Sequence, residues 1–370
     1  MKPIVIALLA SALLSSEARA NPPPRFPATA VWHQDVSTAD VHPNSASMLS
    51  TLAGLGGWGN GNRFQIDMSF HVRHLAPGEM PPRFPVVDRK DGSQLDDNYY
   101  LPDCEPLGTT MPVPADAAFE GQAGLTCVNT GGDCHLLVRE GNLLYELYAG
   151  NLQNNELDAL CLAIWDLSVV YPPQGRGEHC TSADAAGFPI APLLPNADEV
   201  SAALGTPDSD LGHAIRFILP NERMARDASL GGVGGRLYVR PASHAGSPGG
   251  PVGTVPYGVR MRLRSDFNMA GYNPASQVIL RTMQRYGIVL SDGGNIALTF
   301  ESDRHTTVKW NTLGIDNHVF WNGSVGNRTQ VLVTDFQVID TGARIGETFD
   351  CVRSSVVPGE KVFYDGFDGA

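Results

Sequence analysis

The sequence predicts an all-β protein: a single β-sandwich or jelly-roll-like domain with one sizeable helix and long loops. Three observations carry that expectation. Residues 64–73 alternate strictly, with Phe64, Ile66, Met68, Phe70 and Val72 on one side and Gln65, Asp67, Ser69, His71 and Arg73 on the other. Residues 135–148 read as two short strands around Gly141 and Asn142, a two-residue hairpin turn. The chain also holds 40 Gly and 27 Pro, so its elements are short and its turns frequent.

Taken in order, residues 1–20 read as a secretory signal peptide. Lys2 is followed by an apolar run over residues 4–14 and by the small-residue cleavage pattern Ala18, Arg19, Ala20. That run is too short to span a bilayer, which needs about 20 apolar residues. Residues 21–45, with three consecutive prolines, are expected as an extended leader, residues 46–350 as the β-rich domain and residues 351–370 as a C-terminal tail. The tail carries VFYDGFD at 362–368, a short acidic-aromatic ending.

The strand over residues 64–73 is expected in an antiparallel sheet with one wet face. In the hairpin, a two-residue turn opposes Glu140 to Leu143, Leu137 to Glu146 and His135 to Tyr148, placing His135, Arg139, Glu146 and Tyr148 on one face. Further strands are expected at 161–168, 213–219, 236–240, 257–264, 288–290, 296–300 and 331–339. Residues 156–165 fit either a strand or a helical stripe. The sizeable helix is expected after Asn273 as cap, with Pro274 at its first position and Gly287 past its end. Short helical turns are expected at 182–186 and 197–203, where TSAD (181–184) and NADE (196–199) each fit a capping box.

The whole chain has a formal charge of −13. Its first twenty residues hold Lys2, Arg19 and Glu17, a net of +1, so the remainder stands at −14. An acidic body without a basic run disfavours nucleic acid as a partner. Six cysteines lie beyond residue 20, which suits three disulfides in an oxidising, secreted or periplasmic compartment. Spacing leaves the pairing open. Closing local loops would join Cys127 to Cys134 and Cys161 to Cys180, leaving Cys104 with Cys351.

Several chemistries lack their motifs. There is no G-x-S-x-G elbow, no H-E-x-x-H, no phosphate-binding or dinucleotide glycine pattern, and no C-x-x-C. His71 and His74, three apart on a strand, face opposite sides. No metal and no cofactor are therefore expected. Carboxylates near aromatic rings remain, and glycoside hydrolysis needs two carboxyl groups, one to protonate the leaving oxygen and one to attack or activate water. The candidates are Glu120, Glu146, Asp166, Asp184, Asp198 and Glu199. Glu120 and Asp184, on loops beside the sheet, form the expected catalytic pair. His135, Glu146, Tyr148, Trp165 and His213 are the expected substrate-binding residues, with Tyr145 a further stacking surface.

Two alternatives suit the same features. A polysaccharide lyase could use the row Arg260, Arg262 and Arg264 to hold uronate carboxylates, with His135 or His213 and Tyr148 as base and acid. A non-catalytic carbohydrate-binding or adhesion module needs no chemistry at all. The expected partner is in each case a polysaccharide; the sequence does not fix the oligomeric state.

From about residue 112 to 339 the chain resembles a family of secreted, β-rich microbial proteins, most without an assigned activity. The likeness rests on PADAAFEG (114–121), HLLV (135–138), LYELY (144–148), IWDL (164–167), TSADAAG (181–187), HAIRF (213–217), YG (286–287) and SDGG (291–294). The resemblance implies one continuous domain and carries no mechanism. The stretch after Gly294 departs from that pattern.

Overall fold

The alternating stretch at residues 64–73 breaks at His71, and the break divides it between two sheets. This was found in a computed structural model describing residues 23, 25–89, 99–127, 133–321 and 330–353; the expected signal peptide and the VFYDGFD tail lie outside these residues. In chain order the strands are β1 (Ile66–Phe70), β2 (Val72–His74), β3 (Arg83–Asp88), β4 (Thr110–Pro112), β5 (His135–Glu140), β6 (Leu143–Tyr148), β7 (Asn151–Gln153) and β8 (Glu156–Ala159). They continue with β9 (Cys161–Asp166), β10 (Ile215–Leu219), β11 (Leu237–Tyr238), β12 (Arg260–Leu263), β13 (Ile288–Gly293), β14 (Leu298–Glu301), β15 (Phe336–Val338) and β16 (Ile345–Gly346). The described chain is β-rich, with 18% helix and 25% strand in mixed sheets.

A six-stranded sheet runs β1-β14-β10-β13-β12-β15. A four-stranded sheet, β2-β5-β6-β9, receives the second half of the broken strand, and another, β4-β3-β8-β7, builds a side lobe. β1 lies parallel to β14 and β2 parallel to β5, which corrects the antiparallel placement expected for residues 64–73. The hairpin has the register that its turn length dictates, Glu140 opposite Leu143 and His135 opposite Tyr148.

Two hydrophobic cores explain why the hairpin sheet is so apolar. Leu137, Leu144, Ala163 and Trp165 enter the large core beneath the six-stranded sheet. Leu136, Val138, Tyr145, Leu147, Leu162 and Ile164 enter the smaller core of the side lobe. A sheet buried on both faces reads as a continuous apolar run. That resolves the ambiguous stretch 156–165 into β8 and β9, with no helix.

The helix Pro274–Arg285 forms as expected: Asn273 accepts a bond from the Ser276 N–H, and Gly287 turns the chain into β13 at φ +72°. A Cβ at Gly287 would lie 2.7 Å from the Met261 carbonyl oxygen, so the turn needs glycine. The turn Ala197–Ala203 carries the Asn196/Glu199 capping box. Residues 182–186 form a non-helical turn. A further helix, Ser45–Gly54, stands where the extended leader was expected to end, burying Ser45, Met48, Leu49 and Leu52.

The disulfides are Cys104–Cys161, Cys127–Cys134 and Cys180–Cys351. The short loop is as expected; the other two pairings are corrected. Cys161 opens β9 inside the small core, where residues 99–105 bond to it through Tyr100 N–H to Leu160 O and Glu105 N–H to Leu162 O. Cys180 lies beyond that core and ties down the C-terminal segment. Arg353 from that segment and Arg176 both reach the buried Glu105 carboxylate, at 2.7 and 2.5 Å. Three disulfides fit an extracellular or periplasmic setting, and no helix among the described residues is long and apolar enough to cross a membrane.

Candidate functional site

The polar edge of β1, the 114–121 loop, the start of the hairpin and the 181–187 turn meet over the six-stranded sheet. Glu120 is held there by two side chains. Its Oε2 lies 2.7 Å from His135 Nδ1, and Ser69 Oγ–H donates to its Oε1 at 3.1 Å. The His135 Nε2 faces the Ala183 carbonyl at 2.9 Å. Both ring nitrogens thus meet acceptors, which suits an imidazolium. Burial opposes that charge, but the hydrogen bond and charge of Glu120 outweigh it and bring His135 up to about 9. The ring lies between Phe70 and Tyr148, at centroid distances of 5.5 and 5.2 Å.

Arg216 of β10 organises the other half. Its Nε donates to Asp184 Oδ2 at 2.7 Å, and its two terminal nitrogens reach Asp292 at 3.2 Å and Thr299 Oγ1 at 3.3 Å. The 181–187 turn folds as it does because Asp184 also accepts the Ala186 N–H at 3.1 Å, a local side-chain turn and not a helix cap. Asp184 is 1% exposed, whereas the Asp292 side chain is 28% exposed. Burial and the Asp184 charge push Asp292 up to about 7. Asp67 is pushed up as well, by burial and then by the Glu120 charge. Arg216 feels Asp184, Asp292 and Glu120 together, so these carboxyl groups share one electrostatic neighbourhood.

Of the expected residues, Glu120, His135, Tyr148 and Asp184 come together here. Glu146 and Trp165 lie behind them in the core. The indole N–H donates to Glu146 Oε2 at 3.0 Å, and the Ile190 and Ala191 N–H groups donate to Oε1 at 2.9 Å each. Burial pushes Glu146 up to about 7, against those backbone donors. Neither side chain presents a surface to a saccharide, and Tyr145 is equally buried. His213 is elsewhere, fully buried, its Nε2 against Arg25 at 2.8 Å and Glu199 at 3.4 Å. Burial and Arg25 lower it. Asp166 and Asp198 serve turns, accepting the N–H groups of Ser168 and Val308.

The arginine row has other work. Arg260 donates to the carbonyls of Tyr286, Val31 and Gln34, and Arg262 to those of Val36 and Ala39. Arg264 pairs with Asp266. Arg260 and Arg262 thus pin residues 31–39 to β12, while Arg262 also lines one surface cavity and Arg264 another.

Asp67, Ser69, Arg216 and Asp292 were not singled out from the sequence. The signal for the first two was the polar half of the alternating strand, which reads as a wet face when it is in fact covered by the 114–121 loop. Two surface cavities, of about 380 and 650 Å³, lie away from this cluster, the first lined by Arg262, Arg281 and Arg285 and the second by Val41, Leu49 and Arg264. Among the described residues no three His, Cys, Asp or Glu side chains are arranged to hold a metal. The class defined so far is a β-rich, three-disulfide protein with a polar cluster roofed by loops. Comparison with protein-family models, with curated proteins and with solved structures found no match.

Proposed function

We propose that this protein is an exported hydrolase acting on glycosidic bonds of an extracellular polysaccharide, with its sheets layered as a sandwich around the two cores. Glu120 and Asp292 are its working carboxyl pair. One observation carries the reading: two partly exposed carboxyl groups, Glu120 and Asp292, lie in the electrostatic neighbourhood of one guanidinium, that of Arg216. Glu120 faces His135 Nδ1 at 2.7 Å and accepts from Ser69 Oγ–H at 3.1 Å. Asp292 shares Arg216 with the buried Asp184, and both acids are raised, so the pair retains a proton near neutrality. Glycoside hydrolysis needs two carboxyl groups, and burial, with the Asp184 charge, raises Asp292 in the direction that suits the proton donor.

Asp184 passes from the expected pair to a supporting place, because its contact with Arg216 is closed to solvent. Tyr148, half-buried with its ring 5.2 Å from that of His135, is the remaining stacking surface. The test is incubation with a polysaccharide panel, followed by reducing ends and by absorbance of unsaturated products. Reducing ends without unsaturation are expected, with a loss of about 10²–10⁴-fold in both Glu120→Gln and Asp292→Asn. Full activity in either folded variant removes this assignment; unsaturated products indicate a lyase, and binding without products indicates a carbohydrate-binding module.

A further inference from the structure

The cavity of about 380 Å³ beside β12 and β15 falls within the size range of small-ligand sites, about 300–1,000 Å³. Two elements of the fold build its polar wall. Arg262 of β12 stands directly opposite Gln337 of β15 in the antiparallel register, which puts both side chains on one face of the sheet. The helix Pro274–Arg285 adds Arg281, Gln284 and Arg285, whose i, i+3, i+4 spacing brings them to one side of that helix.

Charge is unevenly matched around this cavity. Arg285 is neutralised by Asp210 at 2.6 Å and by Asp35 at 3.4 Å. Arg262 is only 8% exposed, and every group it donates to is neutral: the carbonyls of Val36 and Ala39, and Gln337 Oε1 at 2.8 Å. Half-buried Arg281 donates its Nε–H to the Ser209 carbonyl at 2.8 Å; among the described residues its terminal nitrogens have no hydrogen-bond partner and no carboxylate within pairing distance. Asp208, an exposed lining residue, pairs with neither arginine. Two guanidiniums without a counter-charge thus line one space, and a shielded cation left without an anion is costly.

The other polar groups of the wall donate or accept hydrogen bonds without charge. A guanidinium can only donate, so Gln337 meets Arg262 through its oxygen, and its amide N–H groups are left with no partner among the described residues. The hydroxyls of Ser37 and Ser265 line the same space, with Leu263 as its aliphatic side. Guanidinium N–H forks match a planar carboxylate, and the hydroxyls and amides match a ligand that carries several hydroxyls of its own. The acidic body of the protein repels a long polyanion, which restricts the ligand to a single acid unit.

We infer that this cavity binds one sugar acid, free or as an isolated uronate unit on a mostly neutral glycan, with Arg262 and Arg281 on its carboxylate and Ser37, Ser265 and Gln337 on its hydroxyls. It is a binding site apart from the Glu120/Asp292 pair. No cleavage enters its test, so its failure and the failure of that pair are read separately.

The probe is methyl β-glucuronide, titrated into the disulfide-bonded protein and followed by ligand-observed NMR. Binding is expected, and methyl β-glucoside, which has a CH₂OH group in place of the carboxylate, binds about tenfold or more weakly. Arg281→Gln weakens the glucuronide by a similar factor. Arg281→Lys keeps the charge but loses the fork, weakens it by about threefold, and serves should the glutamine variant not fold. Two further arms are a xylan with isolated glucuronate units and the same xylan after carboxyl reduction. Both results support the site: binding of the acid form alone identifies a chain-borne unit, and binding of neither, with the glucuronide bound, identifies a free sugar acid. The inference is overturned by no glucuronide binding at about 10 mM, by equal binding of the glucoside or of inorganic phosphate, by equal binding of the reduced xylan, or by undiminished affinity in a folded Arg281 variant.

Discussion

Glu120→Gln tests the electrostatic centre of the site through stability as well as activity. In the wild-type protein His135 is brought from 6.5 to about 9, with its side chain 5% exposed. At 1.36 kcal/mol per pKa unit, that shift corresponds to about 3 kcal/mol of stability. A raised histidine binds more protons folded than unfolded between those two values. The stabilisation is therefore complete below about pH 6.5 and is lost as pH rises through about 9. Replacing Glu120 by a neutral amide leaves burial as the dominant influence on His135, so its contribution reverses sign: the folded state then prefers the neutral ring, and stability from this group grows as pH rises through 6.5. The assay is urea unfolding of both proteins, disulfides intact, from pH 6 to 9.5. Their difference in unfolding free energy cancels the groups they share. It should shrink by about 3 kcal/mol across that range, while the His135 ring resonances titrate near 9 in the wild-type protein only. A difference that stays constant with pH refutes the imidazolium.

Asp184→Asn leaves the Arg216 guanidinium buried with a lost charge partner, so it should destabilise the fold by about 3–5 kcal/mol in denaturant unfolding. Asp292→Asn, on the exposed side of the same guanidinium, should cost well under half of that in the same measurement. Gly287→Ala places a Cβ against the Met261 carbonyl at a positive φ, and a loss of about 1–3 kcal/mol is expected by thermal unfolding. Proteolysis without reduction, read by mass, should recover Cys104 with Cys161 and Cys180 with Cys351; removing the latter bridge should cost about 2–5 kcal/mol.

The hairpin shows how far local pattern reaches. Its two-residue turn and alternation were enough to place every pair from His135 opposite Tyr148 to Glu140 opposite Leu143, because register there depends on turn geometry alone. The helix Pro274–Arg285 was legible for the same reason, through Asn273, Pro274 and Gly287. The helix Ser45–Gly54 was equally local, with buried residues at 45, 48, 49 and 52, but its side chains make no cap at Asn44 and the stripe is short. The strand at 64–73 illustrates the opposite limit. Its alternation is real, with Phe64, Ile66, Phe70 and Val72 buried, but a period of two cannot say which strands lie alongside or whether a loop covers the polar side.

The same limit governs the site. Glu120 and His135 stood out as residue types on a loop and a hairpin. That they touch depends on the 114–121 loop folding over β1. Trp165 and Glu146 looked like a binding surface because the chain alone cannot reveal that the large core closes over their face of the hairpin sheet. Of the arginine row, Arg260 and Arg262 are engaged by carbonyl oxygens of residues 31–39 and Arg264 by Asp266, contacts the chain alone does not reveal.

By itself, then, the order of amino acids determined what neighbours in the chain can settle: short strands, one tight hairpin, two helix caps, an acidic body and cysteines suited to oxidation. Only the tertiary structure decided sheet partners, two of the three disulfides, and which carboxyl groups share Arg216. The division follows from range. Turn and cap geometry are enforced within a few residues, whereas burial and electrostatic pairing depend on segments such as 67–71, 120, 184, 216 and 292, which meet only when the whole core closes.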